Sequence, residues 1–199
     1  VMRSVAAPLY HEITYVGLDG KEKLKVSVTN VLPSDLRDVS RKENTWVKAE
    51  TYFEHLKKLK PGEVHVSDVI GPYVGSRIIG PVTPDKAKSL SIDFEPEKEA
   101  FAGRENPNGQ RFKGIVRWAT PVVKNGAVTG YVTLALDHTH IRSFTDNLMP
   151  TSVRYTAISD ATNGNYAFMW DYLDRSIAHP RHHSIVGFDP QTGDHATPW

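Results

Sequence analysis

GIVRWATPVVKNGAVTGYVTLALD, residues Gly114 to Asp137, decides the fold. Two apolar, β-branched runs, Ile115 to Val123 and Val128 to Leu136, meet at Lys124-Asn125-Gly126. Asn-Gly between alternating hydrophobics is the strongest short-range signal for a β-hairpin, because both turn positions need positive φ. Alternation on the second run puts Val128, Gly130, Val132, Leu134 and Leu136 on one face and Tyr131, Thr133 and Ala135 on the other. The first face is expected to be a core wall. The second is milder, as befits a sheet covered by a helix or loop.

Upstream, EITYVGLDGKEKLKVSVTN from Glu12 to Asn30 reads as a second hairpin, with Asp19-Gly20 as its turn. From Asn44, Trp46, Ala49, Phe53, Leu56 and Leu59 recur at helical spacing until Pro61-Gly62. An amphipathic helix is expected there, lying on a sheet, with Trp46 and Tyr52 in the core. EVHVSDVI, Glu63 to Ile70, alternates as a short strand, and a Gly- and Pro-rich irregular segment follows that contains Tyr73 and Arg77. After the central hairpin, Ile141, Phe144 and Leu148 mark a helix over His138 to Leu148, stopped by Pro150. Further strands are expected at Val153 to Ser159 and Tyr166 to Trp170, a turn at Asn163-Gly164, and a short helix near His183 to Val186.

Composition narrows the function. The 199 residues are 39% hydrophobic, enough for a real core, and 24 basic residues balance 23 acidic ones with no long basic block. Nucleic-acid binding is disfavoured, since it rests on a clustered positive field. With no cysteine, disulfides, thiol catalysis and zinc ribbons are excluded. No Gly-x-Ser-x-Gly elbow supports a serine hydrolase. No apolar run approaches the roughly 18 to 20 residues that span a bilayer, and Val1 to Leu9 is too short and unsuitably flanked for a signal peptide. For a membrane protein, the anchoring segments would lie outside this sequence.

Taken together, the Asp19-Gly20 hairpin, the amphipathic helix, EVHVSDVI and the central hairpin resemble the Cache (PAS-like, PDC) sensor domains of bacterial and archaeal membrane receptors. Pro121, Gly130 and Asp137 stand where that family's closing hairpin has its Pro, Gly and Asp. The later YTAISDATNGNYAFMWDYLDRSIAHP, ending at Ile177 to Pro180, resembles the start of the second module of double-Cache ectodomains. The family's long N-terminal helix is absent or reduced to Val1 to Leu9, and the second module is short.

The resemblance implies an α+β fold, a PAS-like antiparallel sheet flanked by helices, with a smaller and incomplete second PAS-like module. Residues 1–150 would form the membrane-distal module and 151–199 the start of the membrane-proximal one. It also implies an extracytoplasmic, non-enzymatic sensor in the cell membrane, of a histidine kinase or chemoreceptor, binding a small carboxylate or amino acid without a cofactor. A homodimer is compatible with this.

By position, Arg117 and Trp118 would take a ligand carboxylate and Asp137 an amine, although the Arg-x-Trp-Tyr spacing of the amino-acid-binding subclass is absent. Tyr73 and Arg77 would contribute from the covering loop. Each also has a structural reading: an exposed strand arginine, a helix cap, a packed loop tyrosine. Two competitors stand beside the sensor. His138, His140, His179, His182, His183 and His195 are zinc- or nickel-ligand types without a recognised spacing, and would serve a metal sensor or metal-dependent enzyme. A ligand-free dimerisation module is the other.

Overall fold

The computed structural model describes residues 8–148, 161–162 and 164–196. The strand expected at Val153 to Ser159, Asn163 of the expected Asn163-Gly164 turn and most of Val1 to Leu9 lie outside these residues. The chain packs as two units. One comprises Val1–Ile70, Gly114–His138 and Pro190–Asp194; the other comprises Gly71–Lys113, Thr139–Asp189 and His195–Trp199. These units interleave along the sequence. The module boundary expected at residue 150 falls within the undescribed stretch 149–160.

The first unit is an α+β domain on a five-stranded antiparallel sheet. Its strands are β1 (Tyr10–Gly17), β2 (Glu22–Ser27), β3 (His65–Val66), β4 (Ile115–Lys124) and β5 (Ala127–Asp137), in the order β2-β1-β5-β4-β3. The central hairpin turns at Asn125 and Gly126, both with positive φ, and it pairs β4 with β5 from Ile115↔Asp137 to Lys124↔Ala127. The Asp19-Gly20 hairpin joins β1 and β2. Both were expected.

The milder face is covered as expected, whereas the face expected to be a core wall is not fully buried. Tyr131, Thr133 and Ala135 are buried, whereas Val132, Leu134 and Leu136 are half-buried. Cross-strand pairing extends the half-buried face to Ile13, Leu24, Val26, Val66 and Trp118, all exposed. Helix α1 (Tyr52–Leu56) covers the milder face. There Tyr52, Phe53 and Leu56 pack with Val39 on Val16, Ala119 and Tyr131, and Phe53 meets the Tyr131 ring edge-on at 6.1 Å.

The long helix expected from Asn44 is broken. Trp46–Lys48 is a single 3₁₀ turn, and Val47 and Lys48 have φ of 45° and 51°. Regular α-helix begins only at Tyr52. β3 is likewise only two residues of the strand expected over Glu63 to Ile70.

The second unit is built on long loops. It carries α2 (Pro84–Ser89), α3 (Thr139–Asp146) and two two-stranded sheets, β6 (Met169–Trp170) with β7 (Ser176–Ala178), and β8 (Gly187–Phe188) with β9 (His195–Ala196). α2 has a sequence signal, Thr83 before Pro84: the Thr83 hydroxyl accepts from the Lys86 amide at 3.2 Å. α3 forms where expected but buries its polar side. Arg142, Thr145 and Asp146 point inward, and Phe144 of the expected apolar stripe is exposed. The reason is chemical: Arg142 donates to the Phe112 carbonyl and pairs with Asp146, which in turn meets His182.

Candidate functional site

The sheet face under α1 carries charge, which an interior ordinarily excludes. Arg117 on β4, Ala135 on β5 and Glu12 on β1 form one cross-strand row. Because Ala135 presents only a methyl group, Arg117 reaches across it, and its Nη1 donates to Glu12 Oε1 at 2.9 Å and to Thr133 Oγ1 at 3.2 Å. The other edge of the guanidinium meets Glu50 in a two-point fork, Nε donating to Oε1 and Nη2 to Oε2 at 3.1 Å. Tyr52 lies under the guanidinium, 4.7 Å from its ring centroid. Arg117, Glu12 and Glu50 are each at most 3% exposed.

Around this hub runs a second ring of charge. Lys25 on β2 pairs with Glu22 at 2.8 Å and Glu12 at 3.9 Å, and donates to the Pro33 and Asp35 carbonyls, which ties the 33–35 loop to the sheet. The Arg37 amide donates to Glu22. Burial disfavours the Arg117 charge, yet Glu50, Tyr52 and Glu12 outweigh it and hold its pKa well above normal. Burial raises Glu22 despite Lys25, and it also pushes the Tyr52 hydroxyl up. The partly open cavity lined here by Glu12, Glu22, Lys25, Glu50, Tyr52 and Arg117, with Leu32, Val39 and Trp46 among its apolar walls, has a volume of about 20 Å³, room for one water-sized occupant.

Glu50 reaches Arg117 from the broken segment. Thr45 organises it: its hydroxyl donates to the Lys42 carbonyl at 2.7 Å and accepts from the Glu50 amide at 3.0 Å. Outside, Lys48 Nζ donates to the Gln191 carbonyl at 2.8 Å, and the Lys48 carbonyl lies so close to Gly193 that a Cβ there would stand 2.0 Å away. Left-handed backbone at a β-branched residue such as Val47 costs on the order of 1–3 kcal/mol. The Glu50–Arg117 fork offsets that strain.

Of the residues expected from sequence to form a site, Arg117 alone lies in this cavity. Trp118 points to the opposite sheet face and is 44% exposed. Asp137 ends β5, 3.5 Å from His11 Nε2. Tyr73 and Arg77 belong to the second unit. There the Tyr73 hydroxyl donates to the His183 carbonyl at 3.3 Å, and Arg77 is held by Glu99 through its amide at 2.5 Å and its Nε at 2.8 Å. Glu12, Glu22, Lys25, Glu50 and Thr133 were not singled out from the sequence. For Glu12 the signal is charge at an inward strand position, in phase with Thr14 and Val16; Glu50, outside any strand, has no such signal.

Of the six candidate histidines, His138 belongs to the first unit and the other five to the second. His182 is fully buried; its Nδ1 accepts from the Phe112 amide at 2.9 Å and its Nε2 faces Asp146 at 3.2 Å. Among the described residues, no group of three or more His, Asp or Glu side chains could hold a metal ion. Burial pushes His182 down to about 4 against the pull of Asp146, and burial with neighbouring His183 does the same to His179.

No family model and no curated relative matches the sequence. Two solved structures resemble it at 14% identity. One is the extracellular domain of an assigned histidine kinase, with a TM-score of 0.38, covering 70% of this chain and 38% of that one. The other is a domain of a sensory box/GGDEF family protein from Vibrio parahaemolyticus, with a TM-score of 0.39, covering 79% and 54%. The chain thus spans about half or less of each, and at these scores neither likeness carries an argument. Among the described residues no helix is long and apolar enough to cross a membrane.

Two predictions follow from these geometries. Arg117→Met strands two buried carboxylates and should cost about 3–5 kcal/mol in urea denaturation, while adding Glu50→Met should restore a large part of it; additive losses would contradict the coupling. The low pKa values of His179 and His182 make the unfolded state bind more protons between about pH 6.5 and 4. Their stabilising contribution is therefore complete above pH 6.5 and is lost as pH falls towards 4, on the order of 3 kcal/mol per histidine. Denaturation at pH 7.0, 5.5 and 4.5 should show that decline, and His182→Gln should flatten it.

Proposed function

We propose that this chain is the extracytoplasmic sensor region of a transmembrane signalling receptor, a histidine kinase or a chemoreceptor, and that the first unit binds a small polar metabolite at Arg117. The observation that carries this reading is a charged, buried guanidinium on the central hairpin, facing a small cavity that an irregular segment covers. The antiparallel sheet with its central hairpin and the Cache resemblance of the sequence support it. The ligand class would be a carboxylate or an amino acid, matched by the Arg117 fork; an ammonium group would have to compete with Arg117 and Lys25 for Glu12 and Glu22. Such a domain does no chemistry. It signals by population shift, so the ligand must bind one of two arrangements more tightly than the other.

A second reading is favoured by one observation, the apolar outer face formed by Ile13, Leu24, Val26, Val66 and Trp118. Exposed apolar faces of this kind mark protein contacts, and a ligand-free dimerisation module would use it.

Thermal unfolding against amino acids, organic acids, amines and divalent metals, with a chelator control, separates the two. A ligand at about 100 times its Kd stabilises by about 2.7 kcal/mol, which raises the midpoint by about 5–10 °C in a chain of this size. The sensor reading expects this from a carboxylate or amino acid. A silent panel with a concentration-independent dimer would replace it with the second reading.

A further inference from the structure

Arg117 is held from two sides by groups of different kinds. Its Nη1 is fixed by Glu12 and Thr133, both on regular strands of the sheet. Its Nε/Nη2 edge, the edge a free carboxylate would fork, is taken by Glu50 from a segment that is neither strand nor α-helix. That segment is in conflict with its own sequence. Trp46, Ala49, Phe53 and Leu56 recur at helical spacing and Asn44 or Thr45 could cap the helix, yet Val47 and Lys48 sit at φ of 45° and 51°. Local preference and the long-range ion pair pull residues 45–51 in opposite directions, the condition under which an element has two competing arrangements.

We propose that Glu50 is an intramolecular stand-in for a ligand carboxylate, and that residues 45–51 are a latch which winds onto the start of α1 when an anion takes the Arg117 fork. This rests on the reading of the Arg117 cavity as the ligand site. The cavity is too small for a carboxylate beside Glu50, so entry is an exchange of one for the other. The exchange conserves charge: Arg117 is never left buried without a partner, the state that would be most costly. Released Glu50 would lie in the second turn of the lengthened helix, at an interior position that glutamate favours. Winding also removes the left-handed backbone at Val47 and Lys48. It pulls Lys48 from the Gln191 carbonyl and from Gly193, so the state of the latch is transmitted to the 190–194 loop.

The test uses the whole chain, acetate as the probe and ethylammonium as the control. It reads acetate affinity, far-UV circular dichroism and amide hydrogen exchange over residues 45–51. Glu50→Gln should increase helical ellipticity, protect these amides and tighten acetate binding by about tenfold, the factor removed when a latch closed in nine molecules of ten no longer competes. Val47→Gly, which eases the left-handed backbone, should do the reverse: raise the thermal midpoint and weaken acetate. Unchanged exchange and acetate affinity in both variants would overturn the latch and leave Glu50 as a static brace. A metabolite that stabilises the wild-type protein without altering exchange over 45–51 would sink the latch while the sensor reading stands. Acetate-driven winding with no stabilisation by any amino acid, amine or larger organic acid would uphold the latch and remove the metabolite-sensor reading.

Discussion

The ion pair between Arg117 and Glu50, buried and extended to Glu12, is the interaction on which the first unit depends. A guanidinium removed from water must be matched by charge and hydrogen bonds at every donor edge, or its desolvation is left uncompensated. Meeting that requirement dictates several neighbouring features. Ala135 is small so that Arg117 can cross the strand between it and Glu12, Thr133 supplies an acceptor, and Tyr52 turns its ring to the cation. Glu50 must arrive from the covering side, and the backbone before α1 bends into left-handed geometry to deliver it. The cover over the sheet is thus fastened by charge at one end and by the packing of Phe53 and Leu56 at the other.

Features encoded by neighbours in sequence were legible. The Asn125-Gly126 hairpin, the Asp19-Gly20 hairpin and the position of α3 follow from turn chemistry and periodicity, both local. What was not legible depends on distant partners. Glu50 and Arg117 are 67 positions apart, and nothing in residues 44–59 announces that one carboxylate will be drawn out of a helical pattern. Asp146 and His182, 36 positions apart, turn α3 so that its polar side is buried. Alternation divided β5 correctly into two faces and the milder one is covered as expected, but Val132, Leu134 and Leu136, the more apolar row, were read as a core wall and are only half-buried. The site followed the same rule: Arg117 was found by its place on the central hairpin, and its carboxylate partners were not.

A fork already occupied by an internal carboxylate changes what a sensor at this position would have to do. A ligand gains only the difference between its own contacts with Arg117 and those that Glu50 gives up, so affinity is modest and selectivity rests on whatever else the ligand reaches. In return, binding is tied to movement of the covering segment, since no anion can sit on the fork while Glu50 does. The second unit, with His182 and Asp146 at its centre, is organised by a separate buried polar cluster.

The direct measurement is NMR of the Arg117 side chain in the unliganded protein. A guanidinium locked between Glu50, Glu12 and Thr133 should give a resolved Nε–H resonance that persists at pH 8, exchanges slowly with water and shows close proton contacts to the Tyr52 ring. An Nε–H signal that exchanges as fast as those of exposed arginines, with no contact to Tyr52, would contradict the buried hub and everything built on it.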